Sequence, residues 1–180
     1  MKPVTEKYVS QSANRKMYEY HIPKLNEEKQ EQLENLLQKL ETAGATRPLN
    51  WAWSEINEGI PQLARFRVLQ ELYQTAYDIS GNIDSAYDFD PEIGAVYQEV
   101  ATATGKAALD QLLLNYGKGL LYHLIGLLDE GNSESERDGL SWRLMKTNPE
   151  TDELLAGING LHEDFIEFDR ETAQPGTPKI

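Results

Sequence analysis

The feature that most constrains the fold is a long apolar stretch, residues 107–128, which reads AALDQLLLNYGKGLLYHLIGLL. No other part of the chain is as apolar over such a length. A single straight helix through residues 90–130 would be roughly 60 Å long at 1.5 Å per residue. A compact domain of 180 residues, the length of this chain, has a radius of gyration of only about 16 Å. We therefore expect two helices here, with a break between them.

The phase of the apolar residues places this break at Thr104 and Gly105. On a helical projection, the stripe before this point differs from the stripe after it by about half a turn. Gly117 and Gly119 are the alternative break point, but the second stripe keeps its phase across both glycines. The first stripe consists of Ile93, Val96, Tyr97 and Val100; the second consists of Leu109, Leu112, Leu113, Tyr116, Leu120, Leu124 and Leu127.

The helix after the break, at about residues 106–129, is predicted to be the centre of the fold. It is apolar on more than one side, because further large residues lie outside the second stripe, and this pattern is typical of a helix covered by several neighbours. Those residues are Leu114, Leu121, Ile125 and Leu128. Polar residues interrupt the stretch, and its uncharged part is too short to cross a bilayer. We therefore predict a helical bundle around this helix and no membrane span.

The rest of the chain is predicted to pack around this helix as one domain, residues 25–170. Residues 26–43 form an amphipathic helix capped by Asn26, and residues 61–79 form another. Between them lies a short segment that contains two tryptophans, and residues 80–90 are predicted to be a loop because of their glycine and aspartate content.

Residues 1–24 and 171–180, at the two ends of the chain, are predicted to be non-helical. Residues 17–22 alternate apolar and polar side chains, so residues 1–24 are expected to form an extended arm. Near the C-terminus, residues 140–160 predict a β-hairpin, with a short helix over residues 150–156 as the alternative. Residues 161–168 form a helix or a strand, and residues 171–180 are expected to be a disordered tail. The predicted fold class is therefore mainly α, with a small β-hairpin near the C-terminus.

The chain is strongly acidic, with a formal net charge of −13. The charge is uneven, since residues 129–171 hold 13 acidic and 4 basic side chains. Such a surface repels phosphate backbones and anionic membranes, which argues against direct binding to nucleic acid or to a membrane. It favours a basic protein partner.

These features predict an acidic protein-binding module that acts on a basic partner, as inhibitors, immunity proteins and regulatory proteins do. Interfaces are enriched in aromatic residues, and charge complementarity accelerates association. The candidate partner-binding residues are Trp51, Trp53, Glu134, Glu136, Asp138, Glu163 and Asp164. Self-association through an exposed helical stripe is a further possibility.

The alternative hypothesis is a small helical enzyme that binds a metal or another ligand. Gly119 and Gly126 lie one heptad apart with His123 one turn from both, which predicts either the close approach of a neighbouring helix or a small cleft there. Under this hypothesis Arg65 or Arg67 would hold an anionic group, whereas the alternative is that both pair with surrounding acids. However, the chain contains no phosphate loop, nucleophile elbow, dinucleotide fingerprint or paired helical metal motif. We therefore lean against an enzyme and expect neither a metal nor a cofactor.

The expected location is the cytoplasm. The chain contains no cysteine, so it has neither a disulfide nor a thiolate ligand, and this fits a reducing compartment. Its first sixteen residues contain no apolar run of the kind found in a signal peptide.

Overall fold

The computed structural model describes residues 1–130 and 142–172. The protein is mainly helical with a small antiparallel hairpin near the C-terminus, which confirms the predicted fold class. Within the stretch that we expected to be one domain, the chain forms two compact units. Unit 1 consists of Met1–Arg67 and Arg143–Ile180, and unit 2 consists of Val68–Trp142.

The first 24 residues of unit 1 are helical, so the prediction of an extended arm was wrong. That prediction required Tyr18 and Tyr20 to share one face of a strand, yet Tyr18 is 4% exposed and Tyr20 is 62% exposed. The buried residues are Tyr18 and Ile22, which are four residues apart, as on a helix. An alternation of six residues was too short to distinguish the two periods. The elements are α1 (Pro3–Gln11), α2 (Arg15–His21) and a 3-10 turn (Ile22–Lys24).

The three main helices of unit 1 are α3 (Glu27–Thr42), α4 (Pro48–Glu58) and the first part of α5 (Gln62–Tyr77). Two of them, α3 and α5, were predicted, whereas the segment between them, which was not assigned a structure, is also a helix. Asn26 caps α3 as predicted, because its side chain accepts a hydrogen bond of 2.8 Å from the Lys29 backbone N–H. Gly59 ends α4 with a φ of 73°, a left-handed conformation that favours glycine. The buried face of α3 consists of Leu33, Leu37 and Leu40.

The C-terminal part of unit 1 contains the predicted hairpin. Its strands are β1 (Leu144–Thr147) and β2 (Leu154–Ile158), which pair antiparallel with Leu144 opposite Ile158. The alternative helix over residues 150–156 is therefore excluded. The next element is a helix, α9 (Leu161–Thr172), with Leu161, Phe165 and Phe168 buried at helical spacing.

Helix α9 continues into the segment that we predicted to be a disordered tail. Glu171 and Thr172 form its last turn, and Glu171 is buried. For these two residues the prediction was wrong, because the carboxylate of Glu171 has hydrogen-bond donors distant in the sequence. Residues 173–180 lie outside the described part of the chain.

The N-terminus of α1 is held by a carboxylate from another helix. Lys2, at the N-cap position, makes no side-chain capping bond. Instead, Glu34 of α3 accepts hydrogen bonds from the backbone N–H groups of Val4 and Thr5, at 2.9 and 2.8 Å, and from the Thr5 hydroxyl at 2.8 Å. Burial acts to raise the pKa of Glu34, but the hydrogen bonds from Val4 and Thr5 together act more strongly to lower it. The pKa of Glu34 is therefore below its ordinary value.

We expect Glu34→Gln to lower the free energy of unfolding by about 1–3 kcal/mol at neutral pH, because an amide cannot accept all three bonds. The pKa of Glu34 is lower in the folded state than in the unfolded state, so the ionised carboxylate stabilises the fold at pH values above the unfolded-state pKa. This stabilisation is lost as the pH falls through the folded-state pKa. The difference between wild type and Glu34→Gln, measured by urea unfolding, should therefore shrink on acidification. The control is Glu31→Gln, whose exposed carboxylate lies 3.6 Å from Lys2 and contributes little. A Glu34→Gln difference that does not change with pH would contradict this assignment.

Unit 2 contains the predicted pair of helices and the predicted break. The second part of α5 is followed by α6 (Ile79–Ala86), α7 (Ile93–Thr104) and α8 (Lys106–Glu130). The break between α7 and α8 is Gly105, with a φ of 89°. Gly117 and Gly119 do not interrupt α8, which runs for 25 residues. The phase of the apolar stripes therefore located the turn correctly.

Helix α6 occupies much of the segment that we predicted to be a loop. Asp78 caps it, since its side chain accepts a hydrogen bond of 3.0 Å from the Gly81 backbone N–H. Ile79 and Ile83 lie four residues apart on its half-buried side. The loop prediction was wrong for residues 80–86, because Gly81 lies in the first turn of α6, where the Asp78 side chain caps its backbone N–H.

Candidate functional site

Of the predicted partner-binding residues, Trp51 lies in the core of unit 1. Its ring packs edge-on against Phe66, with centroids 5.3 Å apart, and Phe66 packs against Phe168 at 5.2 Å. Its indole N–H donates a hydrogen bond of 3.2 Å to Glu171. Trp51 therefore stabilises the fold and presents no ring to a partner.

Trp53 is half-buried on the other side of α4. Its ring packs edge-on against Tyr18 at 5.7 Å and lies 6.2 Å from the ring of His21. These contacts hold the ring against α2 while part of it stays accessible. Trp53 is thus still a candidate contact residue, and Trp51 is not.

The predicted acidic contacts divide into three groups. Asp164 forms an ion pair of 2.8 Å with Arg65, whose side chain also donates to the Gly160 carbonyl oxygen. Arg65 is 3% exposed, so this pair is structural. Glu163 is exposed on the first turn of α9 and is accessible to a partner. Glu134, Glu136 and Asp138 lie outside the described residues.

Of the predicted ligand-groove residues, Arg65 and Arg67 belong to unit 1, and Gly119, His123 and Gly126 belong to unit 2. A Cβ atom added at Gly119 or Gly126 would meet none of the described atoms within 4 Å, so no second wall lies against them. His123 is exposed, and Arg65 is bonded to Asp164 within unit 1. Arg67 is exposed on α5. In residues 1–130 and 142–172, no group of three histidine, aspartate or glutamate side chains has the arrangement of a metal site.

The most unusual surface of unit 2 is an exposed apolar stripe on α8, which we name the α8 face. It consists of Leu112, Tyr116, Leu120, Leu124 and Leu127, whose exposures range from 43% to 65%. With about half of each side chain exposed, the α8 face presents on the order of 500 Å² of apolar surface. Exposed apolar patches of this size are often interaction sites. The sequence predicted that neighbouring helices would cover this stripe, but the described residues leave it open.

The side of α8 opposite the α8 face is the buried one. Ile125 is completely buried, and three more large residues of this side are half-buried: Leu114, Leu121 and Leu128. These are the residues that lay outside the predicted stripe. Helix α8 is therefore apolar on two sides, of which one is largely buried and the other is exposed.

A third tryptophan, which the sequence did not single out, lies at the C-terminal end of the α8 face. The indole N–H of Trp142 donates a hydrogen bond of 3.0 Å to the Leu127 carbonyl oxygen, and the residue is 40% exposed. Partly exposed tryptophans are frequent anchors of protein interfaces. Trp142 is separated from α8 in the sequence, and no sequence pattern indicated that it would lie at the end of this helix.

An apolar cavity of about 320 Å³ lies between α5, α6 and α8 within unit 2. Its walls include Thr75, Ala76, Ile79, Ile83, Leu113 and Gly117. Tyr116 and Leu120 of the α8 face also line it, so the cavity reaches the surface beside that face. Because these walls are mostly apolar, the cavity suits an apolar group.

The turn between α7 and α8 is fixed by a polar cluster. Asp110 accepts hydrogen bonds from the Lys106 ammonium at 2.6 Å and from the Tyr97 hydroxyl at 2.5 Å. The bond from Lys106 and then the bond from Tyr97 lower the pKa of Asp110. This cluster joins the two helices at the start of the α8 face and keeps the Asp110 carboxylate ionised.

The charge of unit 2 is concentrated away from the α8 face. Residues 68–130 contain ten acidic and two basic side chains, which gives a net charge of −8. Between residues 111 and 128 there is no acid, and the cation in this stretch, Lys118, lies over the rings of Tyr73 and Tyr77 at 5.7 and 5.2 Å. The unit therefore combines an uncharged apolar face with strongly acidic surroundings.

Comparison of the chain with protein-family models, curated proteins and solved structures gives no match. None of the helices within the described residues has the length and continuous apolar character needed to cross a membrane.

Proposed function

We propose that the protein is an acidic protein-binding module whose binding surface is the α8 face, and that its partner is a basic protein. Inhibitors, immunity proteins and regulators of basic enzymes act in this way. The observation that carries the proposal is the exposed apolar stripe from Leu112 to Leu127 on a helix whose other side is already packed. As part of the same proposal, we place the encounter in the cytoplasm.

The composition of this surface resembles that of a protein interface. Interfaces have a core depleted of charge, enriched in aromatic residues and surrounded by a polar rim. The α8 face contains Tyr116 and adjoins Trp142, and no acid lies between residues 111 and 128. A standard interface buries about 800 Å² on each partner. The α8 face, the cavity walls and Trp142 together approach that size.

The charge of unit 2 favours a basic partner over a second copy of the chain. Two copies would each bring −8 from residues 68–130, and like charges in an interface oppose association. A basic partner would be attracted by the same charge, with faster association at low ionic strength. Glu163 and Trp53 belong to unit 1, and we treat them as secondary candidates.

The test is affinity capture from an extract of the source cell with three forms of the chain: wild type, Leu112→Glu and Leu154→Glu. Leu112 and Leu154 are each 65% exposed, but Leu154 is on β2, outside the α8 face. We expect wild type and Leu154→Glu to retain a basic protein, and Leu112→Glu to lose it. The retained amount should fall at high ionic strength. Equal capture by the two variants, or a salt-insensitive acidic partner, would contradict the proposal.

A further inference from the structure

The cavity beside the α8 face is suited to a single bulky apolar group. An apolar cavity of about 150 Å³ already admits benzene, and this cavity measures about 320 Å³. Two of its polar side chains are bonded to backbone carbonyl oxygens. Asn82 donates to the Thr75 oxygen at 2.6 Å, and the Thr75 hydroxyl donates to the Glu71 oxygen at 3.0 Å. The cavity therefore favours an apolar occupant over one that needs several hydrogen bonds.

The cavity shares two of its walls with the α8 face. Tyr116 and Leu120 line the cavity and also belong to the exposed stripe. At the position of Gly117, a Cβ atom would lie 3.7 Å from the Cβ of Ala76, so α8 and α5 are in close contact at the base of the cavity. A chain segment that lies along α8 can thus insert one side chain between α8 and α6.

The shape of the α8 face indicates the form of that segment. From Leu112 to Leu127 the stripe is about 22 Å long at 1.5 Å per residue, which matches a partner helix of roughly 15 residues. Helices bind in this mode by an apolar side with anchors at helical spacing. Because residues 68–130 carry a charge of −8, the flanks of the partner helix should be basic.

We propose that the α8 face binds a basic amphipathic helix, and that the cavity receives one aromatic side chain of that helix as its anchor. This inference rests on the proposed function and adds the form of the partner and its anchoring site. Anchors that fill a desolvated pocket contribute most of the binding energy of many interfaces. The remaining apolar contacts along α8 then exclude water around the anchor.

The probes are three synthetic helical peptides of about 16 residues, a length at which the apolar side of the peptide extends along the whole α8 face. The first has leucines on its apolar side, lysines on its polar side and one central tryptophan. The second has alanine in place of the tryptophan, and the third has glutamates in place of the lysines. Binding to the full chain is measured by fluorescence anisotropy at low and high ionic strength.

We expect the tryptophan peptide to bind wild type about 10-fold or more tightly than the alanine peptide. The glutamate peptide should not bind. Thr75→Phe, which places a ring at the edge of the cavity, should reduce the preference for tryptophan to within about threefold. The matched control is Thr102→Phe. Thr75 and Thr102 are exposed helical threonines whose hydroxyls bond to the carbonyl four residues earlier, but Thr102 is on α7 and does not line the cavity.

The outcomes separate this inference from the proposed function. Equal affinity of the tryptophan and alanine peptides for wild type overturns the anchoring cavity, and this result does not depend on the folding of any variant. If Leu112→Glu still abolishes peptide binding and Leu154→Glu does not, the proposed binding surface stands without the anchor. Equal peptide binding by Leu112→Glu and Leu154→Glu overturns both. A wild-type dimer in sedimentation experiments that Leu112→Glu dissociates overturns the basic helix and assigns the face to a second copy.

Discussion

Replacement of Glu171 by alanine is expected to lower the free energy of unfolding of unit 1 by about 3 kcal/mol or more. The carboxylate accepts four hydrogen bonds: from the backbone N–H groups of Thr46 and Arg47, each at 2.8 Å, from the Thr46 hydroxyl at 2.6 Å, and from the Trp51 indole at 3.2 Å. Its negative charge also lies beside the N-terminus of α4, where the helix dipole favours it. Alanine leaves the buried Trp51 indole N–H and the three part-buried donors of Thr46 and Arg47 without this acceptor.

Urea unfolding followed by tryptophan fluorescence measures this effect, because Trp51 is itself one of the donors. Glu171→Gln, which keeps one acceptor oxygen, should fall between wild type and Glu171→Ala. The matched control is Glu167→Ala, one turn earlier on α9, where the side chain is exposed and the expected change is below about 0.5 kcal/mol. Equal stabilities of Glu171→Ala and Glu167→Ala would contradict the role of Glu171.

Replacement of Ile125 by alanine is expected to lower the stability of unit 2 by about 2–5 kcal/mol, the range for large-to-small substitutions in a core. Ile125 is 0% exposed. Among the described residues of unit 2, the large side chains that are fully buried are Leu69, Tyr73 and Ile125. The loss of one of them is therefore a large fraction of the packing within this unit.

The neighbouring residue provides the control. Leu124 is part of the α8 face, so Leu124→Ala should cost less than about 1 kcal/mol. Hydrogen exchange of the α8 amides, measured by mass spectrometry, reports the stability of this helix in each variant. Comparable losses in both variants, or a larger loss in Leu124→Ala, would mean that the α8 face is packed and that the inner side is misassigned.

Local signals in the sequence predicted the parts of the fold that depend on neighbouring residues. The cap at Asn26 depends on residues a few positions away, and the turn at Gly105 depends on the phase of the apolar residues on either side of it; both were predicted correctly. The hairpin was also predicted, since its two apolar segments flank a polar turn. Such features follow from backbone preferences and from the period of apolar side chains.

Contacts between distant residues were not predictable in the same way. Glu34 caps α1 from a position 29 or 30 residues away, and Glu171 bonds to Thr46 across 125 residues. In the sequence, both glutamates resemble ordinary surface acids. Nothing local distinguishes a carboxylate that accepts three or four hydrogen bonds from one that faces solvent.

The orientation of α8 required more than its own sequence. Both of its sides are rich in leucine, so periodicity alone did not show which side is buried. We expected both to be covered, whereas the stripe that begins at Leu112 is exposed and the side that contains Ile125 is buried. The candidate binding surface was therefore present in the prediction, but it was assigned to the core.

The most direct test of the α8 face as a binding surface is hydroxyl-radical footprinting with mass spectrometry, applied to the free chain and to the chain bound to the captured partner. We expect Leu112, Tyr116 and Leu120 to be reactive in the free chain and strongly protected in the complex. Leu154, as exposed as Leu112 but on β2, should react equally in both states. Unreactive leucines in the free chain at every protein concentration, or protection confined to residues outside α8, would contradict the assignment.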